Sequence, residues 1–222
     1  MFLKAKFIGI ATLLLPWLVM AQEQPGPPMV KNPPIMMEVM AGNRAFAYQM
    51  IVNKKTRSVS RLGFFGVTNF QPEWGNPKIN DYMLQGNLTY GMLKGLDITA
   101  GFIWNPIDGI RPSAGVMYTY ANPTWLAVVN PRVDVSRNAN ADILGLIEYK
   151  PGLSEKVKLY TRLQGLYTRN FSYDMHIRSY VMLRAGVSIK DVTLGIANNM
   201  DFYGPAKRDE NNFGGFILVN LF

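Results

Sequence analysis

Along most of its length the chain sorts its side chains by odd and even position. In residues 157–171 the odd positions include Val157, Leu159, Leu163, Tyr167 and Phe171, and the even ones include Lys158, Arg162, Gln164, Thr168 and Asn170. A helix with 3.6 residues per turn would scatter those charges around its surface, whereas a strand of period two collects them on one face. Residues 173–189 repeat the sorting. Met175, Ile177, Val181, Leu183, Ala185, Val187 and Ile189 stand against Asp174, His176, Arg178, Tyr180, Arg184 and Ser188. Residues 80–93 and 96–105 obey the same rule. Turn chemistry separates the segments: short at Lys94 and Gly95, Asn122 and Pro123, 151–156, and Lys190 and Asp191. The expected longer connections are 71–79, 105–110, 136–140 and 204–212.

A water-soluble sandwich would also alternate, so the solvent on each face must be argued separately. Tyr82, Tyr90, Trp104, Tyr118, Tyr120, Trp125, Tyr149, Tyr167 and Phe171 lie near segment ends, where interfacial aromatic belts of a bilayer belong. The polar faces carry too many ions for a dry sandwich core, in which an unpaired charge costs several kcal/mol. The segments also exceed the five or six residues common in soluble sheets. The pattern therefore predicts an all-β, antiparallel transmembrane β-barrel over residues 35–222. Folding back at Gly42 and Asn43 gives about twelve strands; ten result if Pro131 prevents 125–135 from being a full strand.

The N-terminus adds an export expectation. Lys4 and Lys6 precede an apolar run from Phe7 to Met20, and Ala21 precedes polar sequence, the layout of a secretory signal peptide over 1–21. Residues 22–34, with prolines at 25, 27, 28, 33 and 34, read as an extended periplasmic arm. The chain has no cysteine and one histidine, His176, so disulfides and Cys/His metal clusters are excluded and no cofactor is implied. The formal charge of +8 falls to 8 − 2 = +6 without Lys4 and Lys6; this modest excess, dispersed along strand faces, suits anionic lipid headgroups and gives no support to nucleic-acid binding.

With its export signal, dyad repeat and terminal Phe222, the chain resembles the bacterial outer-membrane β-barrel proteins over nearly its whole mature length. In that family an aromatic-ended last strand is read by the barrel-assembly machinery and closes against the first strand. The resemblance implies that role for Gly214, Phe216, Leu218 and Phe222. Asn212 to Val219 fits the family's pattern three residues early, which leaves the final register open. Closure itself is required, because lipid cannot hydrogen-bond an open sheet edge.

The residues expected to line the lumen are Glu38, Arg61, Arg132, Asp134, Asp142, Glu148, Lys158, Arg162, Arg178, Arg184 and Asp201. Their mixed signs favour a neutralised, structural interior over the one-sided charge ring of a selective pore. The leading expectation is thus a non-enzymatic structural or envelope-complex protein, in contact with outer-membrane lipid, lipopolysaccharide and other envelope proteins. A narrow channel for small solutes, anions among them, is the alternative. Two enzyme patterns are weaker. Asp174-x-His176 resembles half of the omptin protease site, with both side chains expected inward, but no Asp-x-Asp accompanies it. His176 and Ser179 resemble the histidine–serine pair of outer-membrane lipid hydrolases, yet three residues apart in a regular strand they should face opposite ways. In the expected loop 203–212, Lys207 and Arg208 are candidates for lipopolysaccharide phosphates.

Overall fold

The computed structural model describes residues 32–75, 81–135 and 140–222. The expected signal peptide and most of the proline-rich arm lie outside the described residues, as do parts of the connections at 71–79 and 136–140. The described chain forms twelve strands. They are β1 (Ile35–Gly42), β2 (Phe46–Lys55), β3 (Leu62–Phe70), β4 (Tyr82–Leu93), β5 (Leu96–Asn105) and β6 (Gly109–Ala121). The second half comprises β7 (Trp125–Asp134), β8 (Asn140–Tyr149), β9 (Val157–Asn170), β10 (Met175–Ile189), β11 (Val192–Tyr203) and β12 (Arg208–Leu221). Each pairs antiparallel with its sequence neighbours, and β1 pairs with β12 to close the barrel.

The period-two rule becomes a wall with two solvents. Leu84, Leu88, Tyr90, Ile98, Phe102, Val129, Ile143, Ile147, Leu163 and Leu183 are exposed on the outside. Their neighbours Gln85, Asn87, Thr89, Asp97, Thr99, Asn130, Asp142, Glu148, Arg162 and Arg184 are buried within. An inverted pattern on so many strands is what hydrocarbon outside and polar filling inside require. Aromatic side chains mark both rims of the apolar band. Tyr118, Tyr120, Trp125 and Tyr149 stand at the rim carrying the ends of β1 and β12; Tyr82, Trp104 and Tyr167 stand at the opposite one. Trp125 and Tyr149 pack with ring centroids 4.4 Å apart, and Tyr82 and Trp104 with centroids 5.0 Å apart.

Pro131 does not end β7. It faces outward opposite Ile143, and the β6–β7 ladder is interrupted only between Arg132 and Val129, where proline has no N–H to donate. The fully buried Asn130 fills the gap, its Nδ2 donating to the Val116 carbonyl at 2.8 Å. A side-chain amide standing in for the absent main-chain donor keeps the strand in the wall, so the twelve-strand expectation holds.

The closing register runs from Ile35 opposite Leu221 to Gly42 opposite Gly214. These two glycines touch: a Cβ on Gly214 would lie 2.0 Å from the Ala41 carbonyl oxygen and 2.5 Å from Gly42 Cα. Next to them Asn212 stitches β12 to the first hairpin. Its Oδ1 accepts from the Arg44 and Ala45 amides at 3.1 and 3.0 Å, and its Nδ2 donates to the Ala45 carbonyl at 3.1 Å. Gly42 leaves the room this side chain occupies. At the other rim Lys54 Nζ donates to the main-chain oxygens of Pro33 and Phe222, both at 2.7 Å, spanning the end of the seam.

One loop expectation is corrected. The composition of residues 204–212 predicts a charged loop, but β12 begins at Arg208, paired with Tyr203, and the turn between them is short. Beyond the apolar band both faces of a strand meet water, so charge does not stop the ladder there.

Candidate functional site

The interior is held by ion pairs that reach across the barrel. Glu38 on β1 is the centre of the largest. One carboxylate oxygen accepts from Arg162 Nη2 on β9 at 2.6 Å, and the other from Arg184 Nε and Nη2 on β10 at 2.9 and 2.8 Å. Between β1 and β10 lie β12 and β11, so these contacts cross the lumen instead of running along the wall. Arg178 on β10 makes a two-pronged bridge to Asp81 at 2.8 and 3.0 Å and reaches Asp201 at 2.7 Å, while Tyr203 donates to Asp81 at 2.7 Å. Arg132 pairs with Asp142, and Asn140 donates to Asp134 at 3.1 Å. Glu148 accepts from the Tyr160 hydroxyl at 2.8 Å and from Lys150 at 2.7 Å.

Apolar side chains fill the space between the pairs. Phe65, Val67, Met117, Val128, Leu144, Leu146, Leu166, Tyr180 and Met182 form one cluster; Met40, Ala47, Tyr160, Ala197, Phe216 and Leu218 form another. A barrel of about eight strands is just wide enough to be filled by side chains, and wider ones open unless long residues bridge them. Here Arg, Tyr, Phe, Met and Gln supply that length. A cavity lined by Glu38, Gln49, Gln71, Asp81, Arg178 and Arg184 measures about 20 Å³, room for about one water.

Most of the residues expected to face the lumen are inside. Glu38, Arg132, Asp134, Asp142, Glu148, Arg162, Arg184 and Asp201 are buried, and Arg178 is half-buried among its partners. Arg61 is not: it occupies the exposed turn between β2 and β3, because β2 runs to Lys55 and β3 starts only at Leu62. Lys158 has the inward parity of β9 but lies exposed at the rim. Of the closing-strand residues, Gly214 lies on the seam, Phe216 and Leu218 pack inside, and Phe222 lies past β12, 92% exposed. The pairing of Lys55 with Asp97, and the apolar plug itself, follow from no motif or parity in the sequence. Lys55 sits at the end of β2 beside a second lysine, and the inward Leu144, Leu146 and Leu166 break the polar rule on their strands.

The two enzyme patterns change most. Asp174 does not point inward toward His176. It occupies the turn at φ 49°, exposed, and accepts from Arg169 Nη2 at 2.5 Å. His176 and Ser179 do not face opposite ways either. The β9–β10 register shifts by one residue between His176 and Arg178, a β-bulge that inserts an extra residue and resets the alternation. His176 therefore lies opposite Arg169 and Ser179 opposite Tyr167, both outward positions of β9. His176 Nε2 is 3.0 Å from Ser179 Oγ, and its Nδ1 is 2.6 Å from the Gly204 carbonyl oxygen. Among the described residues no group of three or more His, Cys, Asp or Glu is placed to hold a metal ion.

The closed antiparallel wall, greasy outside and ion-paired inside, has the architecture of the bacterial outer-membrane β-barrels. No family model matches the sequence, and no curated protein matches it. Among solved structures the barrel is similar to the NanC porin, at 11% identity and a TM-score of 0.46 over 86% of this chain and 99% of that one. It is similar to the KdgM porin at 10% identity and a TM-score of 0.47, over 85% and 99%. LpxR from Salmonella typhimurium aligns at 9% identity and a TM-score of 0.42, over 85% and 99%. At these identities the likeness concerns the fold alone.

Proposed function

We propose that this protein is a non-conducting outer-membrane barrel whose role in the envelope is carried by its outer wall and rims and not by its lumen. The observation that carries the reading is Glu38 on β1, whose two carboxylate oxygens bind Arg162 on β9 and Arg184 on β10 through the interior, past the intervening strands β12 and β11. An ion passing through would have to part these charges, and breaking such a buried arrangement costs about 3–5 kcal/mol. The apolar cluster around Leu144, Leu166 and Met182 offers a solute nothing to replace its hydration. The rim opposite the ends of β1 and β12 presents Lys207 and the exposed Arg208, suited to the phosphates of lipopolysaccharide.

Planar-bilayer reconstitution of the full-length barrel tests the reading. Folded protein should insert without discrete conductance steps. Reproducible unitary steps from the wild-type chain would overturn the proposal in favour of a narrow channel.

A further inference from the structure

On the outer wall, at the rim opposite the start of β1 and the end of β12, His176 is held between a main-chain carbonyl and a serine hydroxyl. The bulge in β10 and the turn after β11 clamp each other: the Gly204 amide donates to the Ile177 carbonyl at 2.8 Å, and the Gly204 carbonyl faces His176 Nδ1 at 2.6 Å. A carbonyl oxygen can only accept. In the neutral imidazole the proton must therefore sit on Nδ1, and Nε2 is left as an acceptor for the Ser179 hydroxyl at 3.0 Å. A hydroxyl within reach of a base that a third group orients is the arrangement of an activated nucleophile.

Its position limits the substrate. His176 is buried, with its ring 5.5 Å from that of Tyr167, and Ser179 is half-buried directly opposite Tyr167 in the ladder. Tyr167 belongs to the aromatic belt at this rim, so the hydroxyl lies at the depth where headgroup meets acyl chain. With an even strand number both chain ends lie on the periplasmic side, which puts this rim in the outer leaflet. Arg169, opposite His176 on the same face, adds a cation bridged to Asp174 beside the pair.

We propose that Ser179 and His176 are a nucleophile and general base that hydrolyse acyl esters of outer-leaflet amphiphiles approaching from the bilayer. Ser179 Oγ attacks the ester carbonyl carbon while His176 Nε2 takes its proton. Collapse of the tetrahedral species breaks the bond to the alkoxy oxygen, which leaves as an alcohol carrying the proton back from His176. Water then attacks the acyl-serine, again giving a proton to Nε2. The acyl–Oγ bond breaks, the fatty acid departs and the serine hydroxyl is restored. One ester and one water give one acid and one alcohol.

Two lipids share this chemistry, and the assay separates them. The full-length protein, folded in mixed micelles, is incubated with phosphatidylethanolamine or with lipopolysaccharide, and released fatty acids are measured by mass spectrometry. Release from the first assigns a glycerophospholipid ester, and release from the second a glycolipid ester. Ser179→Ala should abolish release, and His176→Asn should lower it about 10²–10⁴-fold. Both variants should keep the heat-dependent gel shift of a folded barrel, and a fluorophosphonate probe should label the wild type at Ser179. Failure of the folded wild type to release fatty acid from either lipid, or undiminished release by Ser179→Ala, overturns the assignment. Conductance does not bear on it, so this proposal and the closed lumen stand or fall separately.

Discussion

Two residues show how single side chains keep this wall intact. Glu38 is one carboxylate serving two buried guanidiniums, so its removal strands both. Glu38→Ala should destabilise the barrel by about 3–5 kcal/mol in urea titrations in detergent. Replacing Glu38, Arg162 and Arg184 together by methionines should recover most of that loss, since an apolar filling of similar volume needs no pairing. Asn130 has a narrower task, donating to Val116 beside Pro131. Asn130→Ala should cost about 1–3 kcal/mol, the penalty for a buried carbonyl left without a donor. In the double variant Asn130→Ala/Pro131→Val the restored main-chain N–H should return part of it. Glu38 and Arg184 were legible in sequence as inward charges, because parity alone places them. Their meeting was not legible, since it depends on which strands face one another across a closed ring.

At the scale of the element, regular strands were readable and irregularities were not. The segments 96–105 and 157–171 correspond to β5 and β9 within a residue, because alternation is unbroken there. β10 was readable as a strand but not in the facing of its first residues. The added residue at Ile177 leaves composition unchanged while turning His176 to the same side as Ser179. That is why a serine and histidine three apart looked incompatible and are in fact in contact. The β1–β12 seam is equally local, because Gly214 and Gly42 pack backbone to backbone. Gly214→Val should impair closure, seen as loss of the heat-modifiable folded form. Gly145→Ala, at a position with nothing within 4 Å of the added carbon, should leave it unchanged.

For the molecule as a whole, the arrangement of solvents is the main determinant of stability. The interior pairs are shielded from bulk ions, so raising salt from about 0.1 to about 1 M should shift the thermal transition of the barrel only slightly. A barrel held by surface bridges would weaken visibly under the same change. The sequence could announce the inverted wall because period-two sorting survives in any register. It could not announce the apolar plug, whose members come from β3, β6, β7, β8, β9 and β10 and meet only once the ring has shut. The same ring ties the first turn to the last strand, since the amides of Arg44 and Ala45 find their acceptor only in Asn212. Synthesis makes that hairpin first, yet it must wait for the final strand before its turn is satisfied. The barrel thereby carries a checkpoint for completeness: a chain stopped after Gly204 should leave the opening hairpin sensitive to protease, and the intact chain should protect it.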